Sequence, residues 1–509
     1  MFQGEHSQAT ARELTALALP RGSMKRSVFA SAGPPAWRNG ALRVAGMYAR
    51  VLAALEAALS CAGCSSPPPP SAIVASPDAG VGVTDAGAGF VATALGCGSA
   101  GTQSVIAVSG AKIGVASLAS TSTTQVCTIS PLSPTQSSQV PVWNVCYAES
   151  KPDGSFSSEV VTSQPYTTPT GVGLAFDSTG NPGIAFTGVG ATPAAERCGA
   201  NDAFLTIGTA GTFGAPVQVS NGSQSDGLVA AQAGNCSQNV CNSGDVTGWW
   251  PALVFDPSDR PLIAYRDVHF GFAVDDLTAT SDLEFAEGNG GVYSVLTIDV
   301  SRGGGWYNRV AMTPAGLAAV LHFSTGAMPG VYLNRAATLG NLGDQEADGG
   351  WSSELIFSGQ VGPQLGFGIN AQGVFGVAYF DATSLLLAYV ESPDGSTWTE
   401  PLTVDAYGLT GQYPSLAFDS NGEPAIAYYR CSASHANTQC DEMADGLYLA
   451  RRTGGAWKTV AVHSDPNTYD GLYPALAFVG DKAVVAFQVI SYDAVSAISS
   501  STWWVAEEQ

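Results

Sequence analysis

Short apolar runs, each broken by a turn and followed by a second apolar run, recur along the chain. Tyr413-Pro-Ser-Leu-Ala-Phe-Asp419 returns as Tyr473-Pro-Ala-Leu-Ala-Phe478, and related copies are Trp250-Pro-Ala-Leu-Val-Phe-Asp256 and Gly171-Val-Gly-Leu-Ala-Phe-Asp177. Val361-Gly-Pro-Gln-Leu-Gly-Phe367 is a looser copy. Aligned on the first apolar run, the repeats have anchors at Ile106, Leu174, Leu253, Val310, Leu365, Leu416 and Leu476, 51 to 79 residues apart. Within a repeat, Leu416–Asp419 reads as a first strand and Ala425-Ile-Ala-Tyr-Tyr429 as a second, joined by Ser420-Asn-Gly-Glu-Pro424. Asn and Gly tolerate positive φ and Pro cannot sit inside a ladder, so the join is a hairpin. Ser178-Thr-Gly-Asn-Pro182 and Pro257-Ser-Asp-Arg-Pro261 repeat it. A third strand follows at Leu386 or Leu447, and a fourth comes after a Gly turn and an aromatic, Trp398 or Trp457.

Such strands are apolar on both faces, which suits sheets sandwiched between neighbours and not sheets standing alone. Repetition at this period therefore predicts an all-β fold: a seven-bladed β-propeller of four-stranded antiparallel blades. The seventh repeat lacks a fourth strand, because the chain ends at Gln509 soon after Trp503-Trp-Val-Ala506. Phe90–Leu95 is the short apolar stretch ahead of blade one, and it is expected to supply that outer strand, since an open edge invites aggregation. The wheel then spans 90–509.

Composition agrees with this reading. Of 509 residues, 45% are hydrophobic and only 12% charged, with 60 glycines and 29 prolines, a mixture for many short strands and tight turns. The net charge is −22, and past Cys64 acids outnumber bases 39 to 13. Phosphate backbones are repelled by such a surface, which excludes nucleic acid as a partner and disfavours charge-driven docking on anionic lipid.

The first 64 residues have a different character. Arg43 and Arg50 precede an apolar run, Val51–Ser60, that is too short to span a bilayer. This reads as an export signal, with Met24 or Met47 as alternative starts. Ala62-Gly-Cys64 resembles a bacterial lipobox, which implies lipidation at Cys64, with Cys61 standing where Leu is usual. Residues 65–89, rich in Pro, Ala and Gly, read as a spacer. The expected location is the outer membrane or cell surface as a lipoprotein, with plain secretion or a periplasmic location as the alternative. The membrane would be met only through the lipid anchor.

Eight cysteines remain beyond the leader: Cys97, Cys127, Cys146, Cys198, Cys236, Cys241, Cys431 and Cys440. Export suggests disulfides, and the short loops Cys431–Cys440 and Cys236–Cys241, then Cys127–Cys146, are the expected pairs.

Ser392-Pro-Asp-Gly-Ser-Thr-Trp398 resembles the Asp-box of the sialidase-like (BNR-repeat) propellers, one residue short between Asp394 and Thr397; Pro152-Asp-Gly-Ser-Phe156 and Gly454-Gly-Ala-Trp457 are weaker echoes. The resemblance implies a six- or seven-bladed wheel in a secreted glycan-active or glycan-binding protein. It carries no catalytic set, because the three arginines, the Tyr–Glu pair and the Asp of sialidases have no residue-by-residue match here.

Candidate chemistry collects in loops on one rim, where propellers carry function. Trp249, Trp250, Trp306, Tyr307, Tyr413 and Tyr473 fall between repeats; Arg266, Asp267, His269, Asp381 and Arg430 follow second strands, and His322 ends one. Aromatic faces beside charged groups suit sugar rings, and packing between blades would use the same aromatics. Asp275, Asp276 and Asp282, and Asp441, Glu442 and Asp445, offer oxygen ligands for calcium, or serve as solvated loop charges. No nucleophile elbow, metalloprotease or phosphate-loop motif occurs. Three functions stay open: a surface propeller, expected to be monomeric, that binds glycan or protein without turnover; a sialidase-like hydrolase or polysaccharide lyase; and a structural envelope component.

Overall fold

The computed structural model describes residues 89–509, except 129–136, 166–169, 190–200, 210, 221–245, 269–280, 300–302, 327, 340–349, 407–408, 432–444, 466–467 and 494–497. These residues build a seven-bladed β-propeller, and none of the elements is a helix. Blade one holds β1's successors β2 (Ser99–Ser109), β3 (Lys112–Thr128), β4 (Ser137–Ser150) and β5 (Phe156–Pro165), where β1 is Phe90–Leu95. Blade two holds β6 (Val172–Phe176), β7 (Pro182–Gly188), β8 (Asp202–Thr209) and the short β9 (Thr212–Phe213) and β10 (Val217–Gln218). Blade three is β11 (Val246–Phe255), β12 (Pro261–Val268), β13 (Ser281–Asn289) and β14 (Val292–Asp299). Blade four is β15 (Trp306–Met312), β16 (Ala318–Ser324), β17 (Gly330–Ala336) and β18 (Trp351–Ser358). Blade five is β19 (Gly366–Ile369), β20 (Phe375–Asp381), β21 (Leu386–Ser392) and β22 (Leu402–Asp405). Blade six is β23 (Leu409–Phe418), β24 (Pro424–Cys431), β25 (Gly446–Thr453) and β26 (Ala456–His463). Blade seven begins with β27 (Thr468–Val479), β28 (Lys482–Asp493) and β29 (Ile498–Glu508).

The ring closes as the missing strand requires. Blade seven has the order β1-β29-β28-β27, with Phe90 opposite Glu508 and Leu95 opposite Trp503. One apolar cluster fills each of the seven blade interfaces: Leu118 against Leu174, Leu205 against Leu253, and so on round to Leu95 and Val505 of blade seven against Ile106 of blade one. No blade could hide these faces by itself.

One anchor needs correction. Register pairs Ile106, Leu174, Leu253, Val310, Leu416 and Leu476 with Val115, Ile184, Ile263, Val320, Ile426 and Val485 of the second strands. In blade five the residue so paired is Phe367, opposite Val377, and Leu365 lies two residues ahead of it.

The hairpins between first and second strands share one chemistry. The carboxylate of Asp177 accepts the backbone N–H groups of Thr179 and Asn181 at 2.9 and 2.8 Å, and Asp256 and Asp419 repeat the pattern, with Asn370 doing so through its amide oxygen. Adjacent hairpins are tied together, as where Ser178 donates to the Asp259 carboxylate at 2.7 Å from its backbone and 2.6 Å from its hydroxyl. The three Asp-box-like segments all lie between third and fourth strands. In Ser392–Trp398 the Asp394 carboxylate accepts the N–H groups of Ser396 and Thr397 at 2.8 and 2.9 Å, and these bonds hold it below the usual carboxylate range.

The cysteine pairing differs from expectation. Cys146 is bonded to Cys97, not Cys127. On the β3–β4 ladder Cys146 stands opposite Ser117, whereas Cys127 stands opposite Ser138 near the far end. About ten residues of strand, ~30 Å, separate the two, well beyond a disulfide's reach. Cys431 is disulfide-bonded. Cys440, Cys236 and Cys241 lie outside the described residues.

Candidate functional site: a collar at the channel mouth

Each innermost strand begins with an irregularity, and its geometry repeats. Gln103, Trp250, Tyr307, Gln364, Tyr413 and Tyr473 have φ of 73, 50, 56, 74, 54 and 49°, and the matching residue of blade two, Gly171, has 116°. Each stands three residues before its anchor, next to the register shift of the first ladder where that shift is present. The seven form a collar around the channel mouth on the face that carries the inter-blade loops. A left-handed backbone costs a bulky L-residue about 1–2 kcal/mol, and blade two shows that Gly fills the position.

Collar side chains meet across the mouth. Tyr413 and Tyr473 lie 4.4 Å apart, ring centroid to centroid, and hydrogen-bond to each other. Gln364 of blade five reaches past blade six to donate to the carbonyl of Pro474 at 3.3 Å. Ser104 donates to the carbonyl of Tyr473 at 3.1 Å. The Gln103 carboxamide occupies the space that a Cβ on Gly171 would need, with Oε1 1.6 Å from that point, so glycine in blade two makes room for glutamine in blade one. Burial raises the phenol of Tyr413 well above its ordinary range and raises that of Tyr473 as well, so the collar is neutral at physiological pH. Both rings and those of Trp250 and Tyr307 remain half-buried.

A second group gathers where blades three and four meet. The Arg266 guanidinium lies 3.8 Å from the Trp306 ring centroid and 5.7 and 5.6 Å from the two rings of Trp249 and Trp250. Trp250 packs on Trp306 at 5.0 Å and on Tyr307 at 5.2 Å, which joins this cluster to the collar. Arg266 and Asp267 are fully buried, and Asp267 faces Asp282 across the β12–β13 ladder. Burial lowers the Arg266 guanidinium to about 9, opposed by the nearby Tyr307, Asp267 and Asp282, so it remains charged at neutral pH. Gly305, at φ +81°, sits 2.9 Å in Cβ terms from the Arg266 stem and leaves room for it.

The other sequence candidates are dispersed. His322 is fully buried in β16: Nδ1 accepts the Gly305 N–H at 3.0 Å and Nε2 faces Asp299 at 3.1 Å. Asp381 binds its own turn, accepting from the Thr383 N–H at 2.8 Å and the Ser384 hydroxyl at 2.7 Å. Arg430 lies over Tyr448 at 4.6 Å and pairs with Asp405 at 3.6 Å. His269 and the acids Asp275, Asp276, Asp441 and Glu442 lie outside the described residues. Among the described residues, no three His, Cys, Asp or Glu side chains gather in a metal-holding group. Trp249, Trp250, Trp306, Tyr307, Tyr413 and Tyr473 lie in the first halves of innermost strands and not in loops, and Arg266, Asp267, Asp381 and Arg430 lie at the ends of second strands and not after them.

Sequence reasoning passed over Gln103, Gly171 and Gln364 as collar members. The signal was present as Gly-x-Trp, Gly-x-Tyr or Gly-x-Gln ahead of six anchors, from Gly101-Thr-Gln103 to Gly471-Leu-Tyr473.

No protein-family model and no curated protein sequence matches the chain. Among solved structures, a polysaccharide lyase is similar at 8% identity, covering 82% of this chain and 91% of its own, with a TM-score of 0.44. A Hadza microbial sialidase matches at 11% identity over 72% of this chain and 73% of its own, TM-score 0.40. A protein of unknown function from Dyadobacter fermentans matches at 8% over 83% and 99%, TM-score 0.43. At these identities and scores they bear on neither ligand nor reaction.

Proposed function

We propose that this β-propeller binds a glycan at the collar of its loop-bearing face and does not turn it over. The observation that carries the reading is the strained collar. Six bulky residues hold a backbone conformation that glycine adopts freely. Backbone strain kept against an available remedy points to a use for the side chains. The half-buried aromatic rings of Trp250, Tyr307, Tyr413 and Tyr473 offer their exposed parts to the C–H side of a pyranose, and the buried carboxamides of Gln103 and Gln364 support the collar from beneath. The oxygens of both carboxamides are buried, with no hydrogen-bond partner among the described residues. Export and lipid attachment at Cys64 belong to the same reading and rest on the leader's charge pattern and its Ala62-Gly-Cys64 exit; palmitate labelling lost in Cys64→Ser is the expected result.

A glycan array probed with the full chain, alongside a panel of fluorogenic glycosides, tests the reading. Binding weakened at least about tenfold by Tyr413→Ala with Tyr473→Ala, and no fluorophore release, is expected. Release of product by the wild-type chain would replace it with a sialidase-like or lyase activity. Equal binding by the double variant would move the ligand off the collar.

A further inference from the structure

Beyond the collar the channel holds a cavity of about 380 Å³ lined by the innermost strands of all seven blades. Two residues past the collar position, six blades present small or short side chains to it: Val105, Gly173, Ala252, Gly366, Ser415 and Ala475. The seventh presents Arg309, at the same place in the ladder, opposite Leu321. A single cation thus enters a channel that its six counterparts leave open.

Arg309 is unusual in its partners as well. Arg260, Arg335, Arg430, Arg451 and Arg452 each lie against a carboxylate. Among the described residues Arg309 makes one polar contact, Nη1 donating to its neighbour's carbonyl, Asn308 O, at 2.9 Å, and has no acid partner. This occurs in a chain with 42 acids and 20 bases. Burial lowers the guanidinium to about 10, which leaves it charged at neutral pH. An unpaired charge inside a protein is costly, so an anion that reaches it is stabilised there.

The remaining lining defines what kind of anion fits. Ser415 Oγ accepts the Leu476 N–H at 3.0 Å, leaving its own hydrogen to donate into the channel. The guanidinium fork by itself matches the two oxygens of a carboxylate; a phosphate or sulfate dianion calls for more donors. Ser104 and Gln364, toward the collar, turn their hydrogens to the carbonyls of Tyr473 and Pro474, and the other side chains of the wall are hydrocarbon, with Leu174, Leu253, Leu416 and Leu476 among them. The collar crosses the loop-side mouth, while toward the hairpin side a second cavity adjoins, sharing Val254 and Val310 and lined by Met312 and Phe418.

We propose that the channel is a second ligand site, beneath the collar, which takes a small amphipathic monocarboxylate with its head on Arg309 and its tail among the leucines. The ligand enters from the hairpin face.

Titration calorimetry of the full chain with hexanoate, hexanol and inorganic phosphate tests this. Saturable hexanoate binding is expected, weakened about tenfold to a hundredfold when the carboxylate is exchanged for the alcohol of hexanol, and by a similar factor in Arg309→Gln. Arg309→Lys should retain part of the affinity. The comparison of hexanoate with hexanol on the unaltered chain needs no variant to fold. No heat with hexanoate, equal binding of hexanol, or undiminished binding by Arg309→Gln would each overturn the proposal. Phosphate binding as tight as hexanoate would also overturn it, by removing the role of the apolar wall.

Discussion

Removing Gly89–Leu95 tests the closure of the wheel, and its effect can be worked from the ladder. Phe90, Ala92 and Leu95 are 7, 1 and 4% exposed, and their burial contributes about 5 kcal/mol by apolar area. The flank of β29 that they cover, with Trp503 and Val505 at 1 and 0%, adds about 3 kcal/mol on the same basis. The hydrogen bonds along the register from Phe90–Glu508 to Leu95–Trp503 add about 5 kcal/mol net. Ordering this stretch of backbone costs about 8 kcal/mol. The deletion should therefore destabilise the wheel by about 5 kcal/mol. Unfolding entropy near 2.1 cal/mol/K per residue gives a chain of this size a melting-temperature change of about 1 °C per kcal/mol if the blades melt together. Scanning calorimetry should thus show a fall of about 5 °C, and hydrogen exchange should quicken at the amides of Val505 and Glu507, which face β1 in register with the Gln509 N–H bond to Gly89 O. The bared edge of β29 should also raise self-association. An unchanged melt with unchanged exchange at those amides would refute closure by the N-terminal strand.

Two further outcomes follow from the same structure. The Cys97–Cys146 bond spans 49 residues, for which the chain-entropy relation gives about 4 kcal/mol, so Cys146→Ala should lower the melt by about 4 °C while Cys127→Ser leaves it unchanged; the reverse ranking in paired calorimetric scans would restore the rejected pairing. The hairpin carboxylates of Asp177 and Asp256 sit below their ordinary value of 3.8: burial opposes the shift, but hydrogen bonds from Asn181 and Thr179, and from Arg260 and Ser258, outweigh it. A lowered folded-state pKa gives stability that is fully present above the unfolded value and lost as pH falls through the folded one. Asp177→Asn with Asp256→Asn should consequently lower stability at pH 7 and flatten its decline below about pH 4, and a denaturant series across pH 2–7 in which the variant's decline is as steep as the wild type's would sink this assignment.

Much of the architecture was legible because the physics that makes a propeller also writes it into the chain. Every blade needs the same apolar pair of strands and the same hairpin, so Leu416–Ile426 and Leu476–Val485 recur in sequence as they do in register. Blade five was misplaced by two residues because Pro363 precedes the collar residue there, whereas Pro251, Pro414 and Pro474 follow it, and Leu365 and Phe367 are then equally good apolar anchors. The cysteines failed for a different reason. Sequence separation favoured Cys127 for Cys146, but a long antiparallel hairpin carries residues that are close along the chain far apart in space, and it brings Cys97 alongside instead.

The candidate site was legible only in part, because its aromatics serve two purposes at once. Trp250 packs against Trp249, Trp306 and Tyr307 as a core residue does, yet its backbone sits at φ 50°, where packing alone would favour a residue without a Cβ. Composition reports the packing; the strain is a property of the backbone and is invisible until the strand is built. Arg309 is the same lesson at one remove. In the sequence it is one of 20 basic residues, following Tyr307-Asn308 without distinction. Only the ladder reveals that its six counterparts are small, so that its charge stands in the channel where they leave space. A site built by rotating one position through seven blades is read from the ring, and the chemistry lies in the member that breaks the symmetry.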